Sequence, residues 1–224
     1  MDSEQLLEQL GKCVELGKVN REAPQPPEMK GQDGADELTQ QALEQGIKPS
    51  RILDEALIAA MDRVGEKFSN KEIFVPQMLI AAKAMNASME HLKPYFQSGE
   101  VKRKGIFIIG TVSGDLHDIG KNLVSMIIEG AGWEVIDLGV DVNSATFLDT
   151  IQEHQDAVVG LSALLTTTMQ SMKEIAQEIK EQHPDTVVMI GGAPVSEGFR
   201  KEIGADNYSP DPQRAVSYLN SLVS

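Results

Sequence analysis

The chain has 224 residues, with 34 acidic against 20 basic side chains and a formal net charge of -14. That length accommodates one large or two small domains, each able to bury a core, while the charge argues against a nucleic-acid or anionic-membrane partner, which would need a basic footprint. The single cysteine, Cys13, cannot close an intramolecular disulfide, no apolar run reaches the ~20 residues of a bilayer span, and the acidic, amphipathic Met1 to Leu10 is not a signal peptide, so the cytoplasm is the expected compartment.

The first hundred residues read as helices. Ser3 can cap a helix carrying Leu6, Leu7, Leu10 and Val14 at helical spacing and ending near Gly17. Residues 20–34 hold Pro24, Pro26, Pro27, Gly31 and Gly34 with almost nothing apolar, which predicts a flexible linker or long loop. A second helix, Asp36 to Gln45, stops at Gly46, which suits a left-handed C-terminal cap. A third starts near Pro49-Ser50 and carries Ile52, Leu53, Leu57, Ala60, Met61, Val64 and Phe68; a fourth starts at Pro76 and runs through Met78, Leu79, Ala82, Met85 and Met89 toward Pro94. Together these make a four-helix bundle over residues 1–97. Within it Phe68, Phe74, Val75, Met78 and Leu79 read first as plain core, as a methionine or aromatic stripe usually is. A second reading makes some of them an apolar lid.

Residues 98–104 are polar and form the expected domain boundary. From residue 105 to 224 apolar runs alternate with helical periods. Strands are predicted at Gly105 to Thr111, Trp133 to Leu138, Ala157 to Ser162, Thr186 to Ile190 and Asn207-Tyr208, with helices at Lys121 to Gly130, Ala145 to His154, Met169 to Gln182, Val195 to Ile203 and Pro212 to Leu222. Short, fully apolar strands suit a parallel sheet covered on both faces. The predicted fold is therefore α/β: a doubly wound, flavodoxin-like (Rossmann-like) five-stranded sheet of order 2-1-3-4-5 behind a helical bundle.

Three loops at strand ends fall on one edge of that sheet: Asp115-x-His117-x-x-Gly120, Ser162-Ala163-Leu164 followed by Thr166-Thr167-Thr168, and Gly191-Gly192-Ala193. The first lacks the glycine-rich run that a nucleotide phosphate needs, and Ser162 lacks the G-x-S-x-G surroundings of a hydrolase nucleophile. The loops fit a long ligand inserted end-on. Gly191 and Gly192 leave room beside the strand, Gly120 opens the floor, and Ser162 with Thr166 to Thr168 supply hydroxyls. Taken alone, a histidine in such a loop is more often solvated or capping. Here His117 offers an imidazole nitrogen to a borderline metal, and Asp115 is placed to accept the proton of the other ring nitrogen. No Cys or further His lies near in sequence, so the metal must arrive in a macrocycle.

D-x-H-x-x-G, then S-x-L, then G-G resembles the cobalamin-binding motif of B12-binding domains. The preceding bundle resembles the cap domain that accompanies it in methionine synthase and in the corrinoid proteins of methanol, methylamine and methoxyaromatic methyltransferase systems. The resemblance covers the chain from about Asp36 onward. It implies cobalamin or a related corrinoid bound base-off, with His117 as lower axial cobalt ligand, Asp115 tuning it and Thr168 as a further hydroxyl partner. Asp118, Ile119, Gly120, Ser162, Leu164, Thr166, Gly191 and Gly192 complete the lower site, and Phe68, Val75, Met78 and Leu79 match positions that shield the methyl-bearing face. Val75 stands where leucine is usual, and the 20–34 segment is longer than the family's short turn.

The resemblance further implies a methyl carrier cycling between Co(I) and methyl-Co(III), with no substrate site of its own. Its partners would be a substrate-specific methyltransferase, an acceptor-side methyltransferase using tetrahydrofolate or a thiol, and an ATP-dependent reductive activase. The cap is expected to move about a hinge at 98–104 when a methyltransferase docks. A cobalamin-dependent sensor or regulator would need a basic recognition helix before residue 100, and the carrier subunit of a B12 mutase would leave the cap unexplained.

Overall fold

In a computed structural model, which describes residues 1–223 (the side chain of Gln97 aside), the chain divides into two compact units. One is Met1–Arg103 with Gly130–Gly132; the other is Lys104–Glu129 with residue 133 onward. Among the described residues no helix is long and apolar enough to cross a membrane.

The first unit is helical: α1 (Ser3–Leu16), α2 (Ala35–Glu44), α3 (Pro49–Arg51), a π-helical stretch (Ile52–Ile58), α4 (Ala59–Ser69) and α5 (Val75–Gln97). Apolar residues recurring every three or four positions put Leu6, Leu10 and Val14 of α1 in the core with Leu38 of α2, Leu57, Val64 of α4, and Met78 and Met85 of α5. The cap of α1 is Asp2, one residue before the Ser3 expected from sequence. Its carboxylate accepts the Gln5 amide proton at 2.8 Å while the Gln5 side chain accepts that of Asp2 at 3.3 Å. Gly17 and Gly46 both adopt the left-handed conformation that ends a helix. The third predicted helix is interrupted by the π-helical stretch, which its spacing did not foretell. Residues 20–34 form a closed loop rather than a free linker. The Ala35 and Asp36 amides donate to the carbonyls of Lys18 and Val19, Arg21 pairs with Asp33 at 2.6 Å, and Met29 is buried. The hydroxyls of Thr39 and Ser88, buried between α2 and α5, lie 2.8 Å apart and both reach the Ala35 carbonyl, so neither is left unsatisfied.

The second unit carries β1 (Ile106–Thr111), α6 (Ile119–Gly130), β2 (Glu134–Asp137), α7 (Ser144–Glu153), β3 (Val158–Ser162), a short 3-10 turn (Thr166–Thr168), α8 (Met169–Gln182), β4 (Val188–Gly191), α9 (Glu197–Ile203), β5 (Asn207–Tyr208) and α10 (Pro212–Leu222). The sheet has five strands, all parallel, in the order β2-β1-β3-β4-β5. This is the doubly wound order expected from the alternation of elements. Ile108, Val159, Leu161, Val188 and Ile190 pack with Phe147, Ile151, Ile175 and Ile179 from the helices. The register aligns Thr111 with Ser162 and Ser162 with Gly191. The carboxyl ends of β1, β3 and β4 therefore stop level, and the loops that follow them start side by side.

Candidate functional site

The loop after β1 turns at Gly114, whose φ of +83° is left-handed, and sends the Asp115 side chain inward to complete burial while His117 stays half exposed. Asp115 is the hub. Its Oδ2 accepts the amide protons of Leu164 at 2.7 Å and Leu165 at 3.2 Å from the loop after β3, and lies 2.8 Å from Thr168 Oγ1. The Thr168 hydroxyl, itself buried, shares its one proton between that oxygen and the Leu165 carbonyl at 2.9 Å. Oδ1 accepts the His117 amide proton at 3.1 Å and lies 2.7 Å from His117 Nδ1. Burial alone would push the Asp115 carboxyl up, but the hydrogen bonds from Leu164, His117 and Thr168 reverse this and hold it well below the usual carboxylate range. A carboxylate that stays ionised takes the Nδ1 proton of His117, which selects one tautomer and leaves Nε2 with its lone pair.

Beside His117 a cavity of about 370 Å³ is lined by residues of all three loops: His117 and Gly120, Ser162 and Leu164, Gly191 and Gly192. Its other walls are mostly apolar, with Phe107, Ile109, Leu161, Met189, Ile190, Tyr208 and Ala215. Gly160 makes room for the Phe107 ring in that wall, because a Cβ there would lie 2.4 Å from it.

Both glycines line the cavity, but Gly192 has a further reason to lack a side chain. A Cβ on Gly192 would lie 1.8 Å from the Ala163 carbonyl oxygen, and its φ is +127°. Gly192 is thus demanded first by the neighbouring loop and not by the ligand. Gly191 is less constrained, with the nearest atom to a Cβ being the Ser209 carbonyl oxygen at 3.4 Å. Around Gly120 a Cβ would meet nothing within 4 Å, so that position does face open space.

The remaining predicted residues divide. Asp118 sits at the start of α6, where its carbonyl accepts the Asn122 amide proton at 2.7 Å and its carboxylate the Asn122 side-chain amide at 3.1 Å. Ile119 is 82% and Leu116 72% exposed, an apolar pair flanking His117 and open to a ligand or partner. Thr166 is exposed and Thr168 buried, and neither lines the cavity. In the helical unit Phe74, Val75 and Leu79 are exposed and Phe68 is half buried, whereas Met78 is 1% exposed. The burial of Met78 matches the first of its two readings, plain bundle core.

Thr111 was not singled out by sequence. It ends β1, is buried, and its hydroxyl donates to the His117 carbonyl at 2.8 Å. The signal available was only its place at a strand end on the crevice edge.

Among the described residues no group of three or more His, Cys, Asp or Glu side chains could hold a bare metal ion. His117 offers one nitrogen, so the donor set suits a metal whose other positions are already filled. The glycine-lined cavity beside it suits a long appendage of the same molecule, and the exposed apolar pair suits its flat body. A corrinoid fits these features.

Two B12 binding domain models match the chain, one over residues 105–217 and the other over residues 32–93. The trimethylamine corrinoid protein 1 of Methanosarcina acetivorans is 37% identical over 193 residues, 84% of this chain and 89% of that one. The dimethylamine corrinoid protein 1 of the same organism is 38% identical over 181 residues, 80% and 85% respectively. Among solved structures, the methanol:cobalamin methyltransferase complex MtaBC of Methanosarcina barkeri matches with a TM-score of 0.83 at 28% identity, covering 98% of this chain and 80% of that one. A cobalamin-binding protein of Desulfitobacterium hafniense matches with a TM-score of 0.73 at 30% identity over 100% and 99%.

Proposed function

Because this chain belongs to the B12-binding corrinoid proteins, we propose that it carries a methyl group on cobalt from one methyltransferase to another. The observation that carries the reading is the Thr168–Asp115–His117 relay at the mouth of the cavity, which leaves a single imidazole nitrogen aimed away from the relay.

Bound at this site, a corrinoid supplies a cobalt centre that can take up and release a methyl group. The protein's own part is to position and tune. His117 would offer Nε2 to the cobalt, and Asp115 fixes the tautomer by holding the Nδ1 proton. The Leu164 and Leu165 amides and the Thr168 hydroxyl hold the Asp115 charge in a buried place where it would otherwise be costly. The mostly apolar cavity would hold an extended appendage of the corrinoid, with Ser162, Gly191 and Gly192 along its wall. On the helical unit the exposed apolar side chains Phe74, Val75 and Leu79 are assigned to cover the methyl-bearing face.

The carrier has a donor-side and an acceptor-side methyltransferase as partners and a reductive activase to recover oxidised cofactor. Relatives at 37% and 38% identity are named for trimethylamine and for dimethylamine. Near-equal likeness to both supports donor selection by the partner enzyme and not by this chain.

Reconstitution with cobalamin and EPR of the Co(II) form test the ligand. The reading expects nitrogen splitting that becomes a doublet pattern when histidine is labelled with nitrogen-15 and that disappears in His117→Ala. Persistence of the labelled splitting in that variant removes His117 from the axial position.

A further inference from the structure

Behind the histidine loop, on the side away from Thr168, lies a second carboxylate that the relay does not use. Asp141 follows β2, in the segment that runs parallel to the end of β1. The Thr111 amide donates to the Gly139 carbonyl at 3.0 Å, the Val142 amide to the Thr111 carbonyl at 2.9 Å, and Val112 bridges Val142. At Asp141 the backbone takes a φ of +55°, a left-handed conformation that side chains other than glycine seldom adopt. The turn has a visible consequence. It lets the Asp141 amide donate to the Asp115 carbonyl at 3.0 Å while its Oδ1 accepts the Gly114 amide proton at 2.7 Å and the Ser113 hydroxyl at 3.3 Å. One residue therefore grips the main chain of 113–115 in both directions. Gly114 is itself left-handed, so two left-handed residues face each other across these hydrogen bonds.

We propose that Asp141 is a positioning residue that holds the 113–115 main chain, and through it Asp115 and His117, in the geometry His117 needs to reach a metal. The proposal rests on the reading of His117 as the cobalt ligand. The physical reason is that Asp115 must serve two loops at once. Its side chain is committed to Leu164, Leu165 and Thr168 on one oxygen and to His117 on the other. A buried side chain can hold both only if its own main chain does not shift, and a left-handed glycine next to it cannot supply that rigidity. The carboxylate of Asp141, charge-assisted and short, supplies it from outside.

The test compares Asp141→Gly, which keeps the left-handed backbone and removes the carboxylate, with Asp141→Asn, which keeps an acceptor oxygen of the same reach. Asp141→Ala is a second deletion, and unchanged Trp133 emission verifies the fold of each. In the full chain without corrinoid, the ring nitrogen-15 shifts of His117 should report one tautomer in wild type and Asp141→Asn and a mixture in Asp141→Gly. In the cobalamin-loaded Co(II) form, the ratio of histidine-bound to histidine-free cobalt, read from the labelled splitting, should fall about five-fold in Asp141→Gly, the worth of roughly one hydrogen bond. Asp141→Asn should restore most of it. A merely structural role would lower stability in both without changing that ratio. If Asp141→Gly keeps the wild-type tautomer and ratio while His117→Ala loses the splitting, the positioning role is wrong and the ligand reading stands. If His117→Ala retains the splitting, both fall.

Discussion

Replacing Asp115 by asparagine changes one atom in the relay and should disable His117 while leaving its ring in place. The carboxylate accepts from Leu164 and Leu165 amides and the Thr168 hydroxyl on Oδ2, and from the His117 amide and Nδ1 on Oδ1. Every partner is a donor. An asparagine keeps one acceptor oxygen, and the side with more donors, facing Leu164, Leu165 and Thr168, takes it. Its NH2 group then faces the His117 amide, which is left unsatisfied, and His117 Nδ1, which can stay paired only by giving up its proton. The proton moves to Nε2, and the lone pair that would meet a metal is gone. The unpaired amide, together with the lost charge assistance on the remaining bonds, should cost about 3 kcal/mol in the corrinoid-free protein. Urea unfolding followed by the single tryptophan, Trp133, reports this unit directly, since Trp133 is 2% exposed and a Cβ on Gly105 would lie 2.5 Å from its ring.

The sign of the pH dependence follows from the same bonds. Folding lowers the Asp115 carboxyl, so its contribution is fully present above the unfolded value near 4 and is lost as pH falls toward the folded one. The gap between wild type and Asp115→Asn should therefore be constant from pH 7 to pH 5 and narrow below roughly pH 4. A gap under about 1 kcal/mol at pH 7, smaller than one lost charged hydrogen bond, would refute the reasoning. So would a gap that widens in acid, or a His117 ring still protonated at Nδ1 in the asparagine variant.

Thr168→Val removes the buried hydroxyl while nearly preserving volume, and should cost about 1–2 kcal/mol by the same unfolding assay because it strips one donor from Asp115; Thr168→Ser keeps the donor and should stay nearer wild type, and equal losses in the two would assign the effect to packing. Gly192→Ala should be destabilising by about 3 kcal/mol or more, since its Cβ would overlap the Ala163 carbonyl oxygen. Gly191→Ala, with 3.4 Å to its nearest neighbour, should fold normally, so comparable melting temperatures for the two alanine variants would contradict the close-approach explanation.

Much of this was legible along the chain. The strand order came from alternating apolar runs and amphipathic periods, because a parallel strand buried on both faces has to be apolar at nearly every position, as Phe107, Ile108 and Ile109 are. The Asp115–His117 contact was legible from spacing, since two residues apart in one turn lie within hydrogen-bond reach. Thr111 and Asp141 were not, for neither residue type nor local pattern marks a hydroxyl or carboxylate whose partner is a main-chain group on another segment. Met78 was open to two readings, core or lid, for a related reason: spacing along α5 gave no face, and only the packing buried it while Val75 and Leu79 stayed exposed.

The sequence by itself determined which elements form and which chemical groups stand at their ends, because periodicity and strand composition are local consequences of what each segment buries. Only the tertiary structure decided what those groups do for one another. The level ends of β1, β3 and β4 bring Leu164, Leu165 and Thr168 onto a carboxylate some fifty residues earlier. That convergence turns an ordinary loop aspartate into a buried, ionised partner for His117, since a charge can stay buried only where the fold surrounds it with donors.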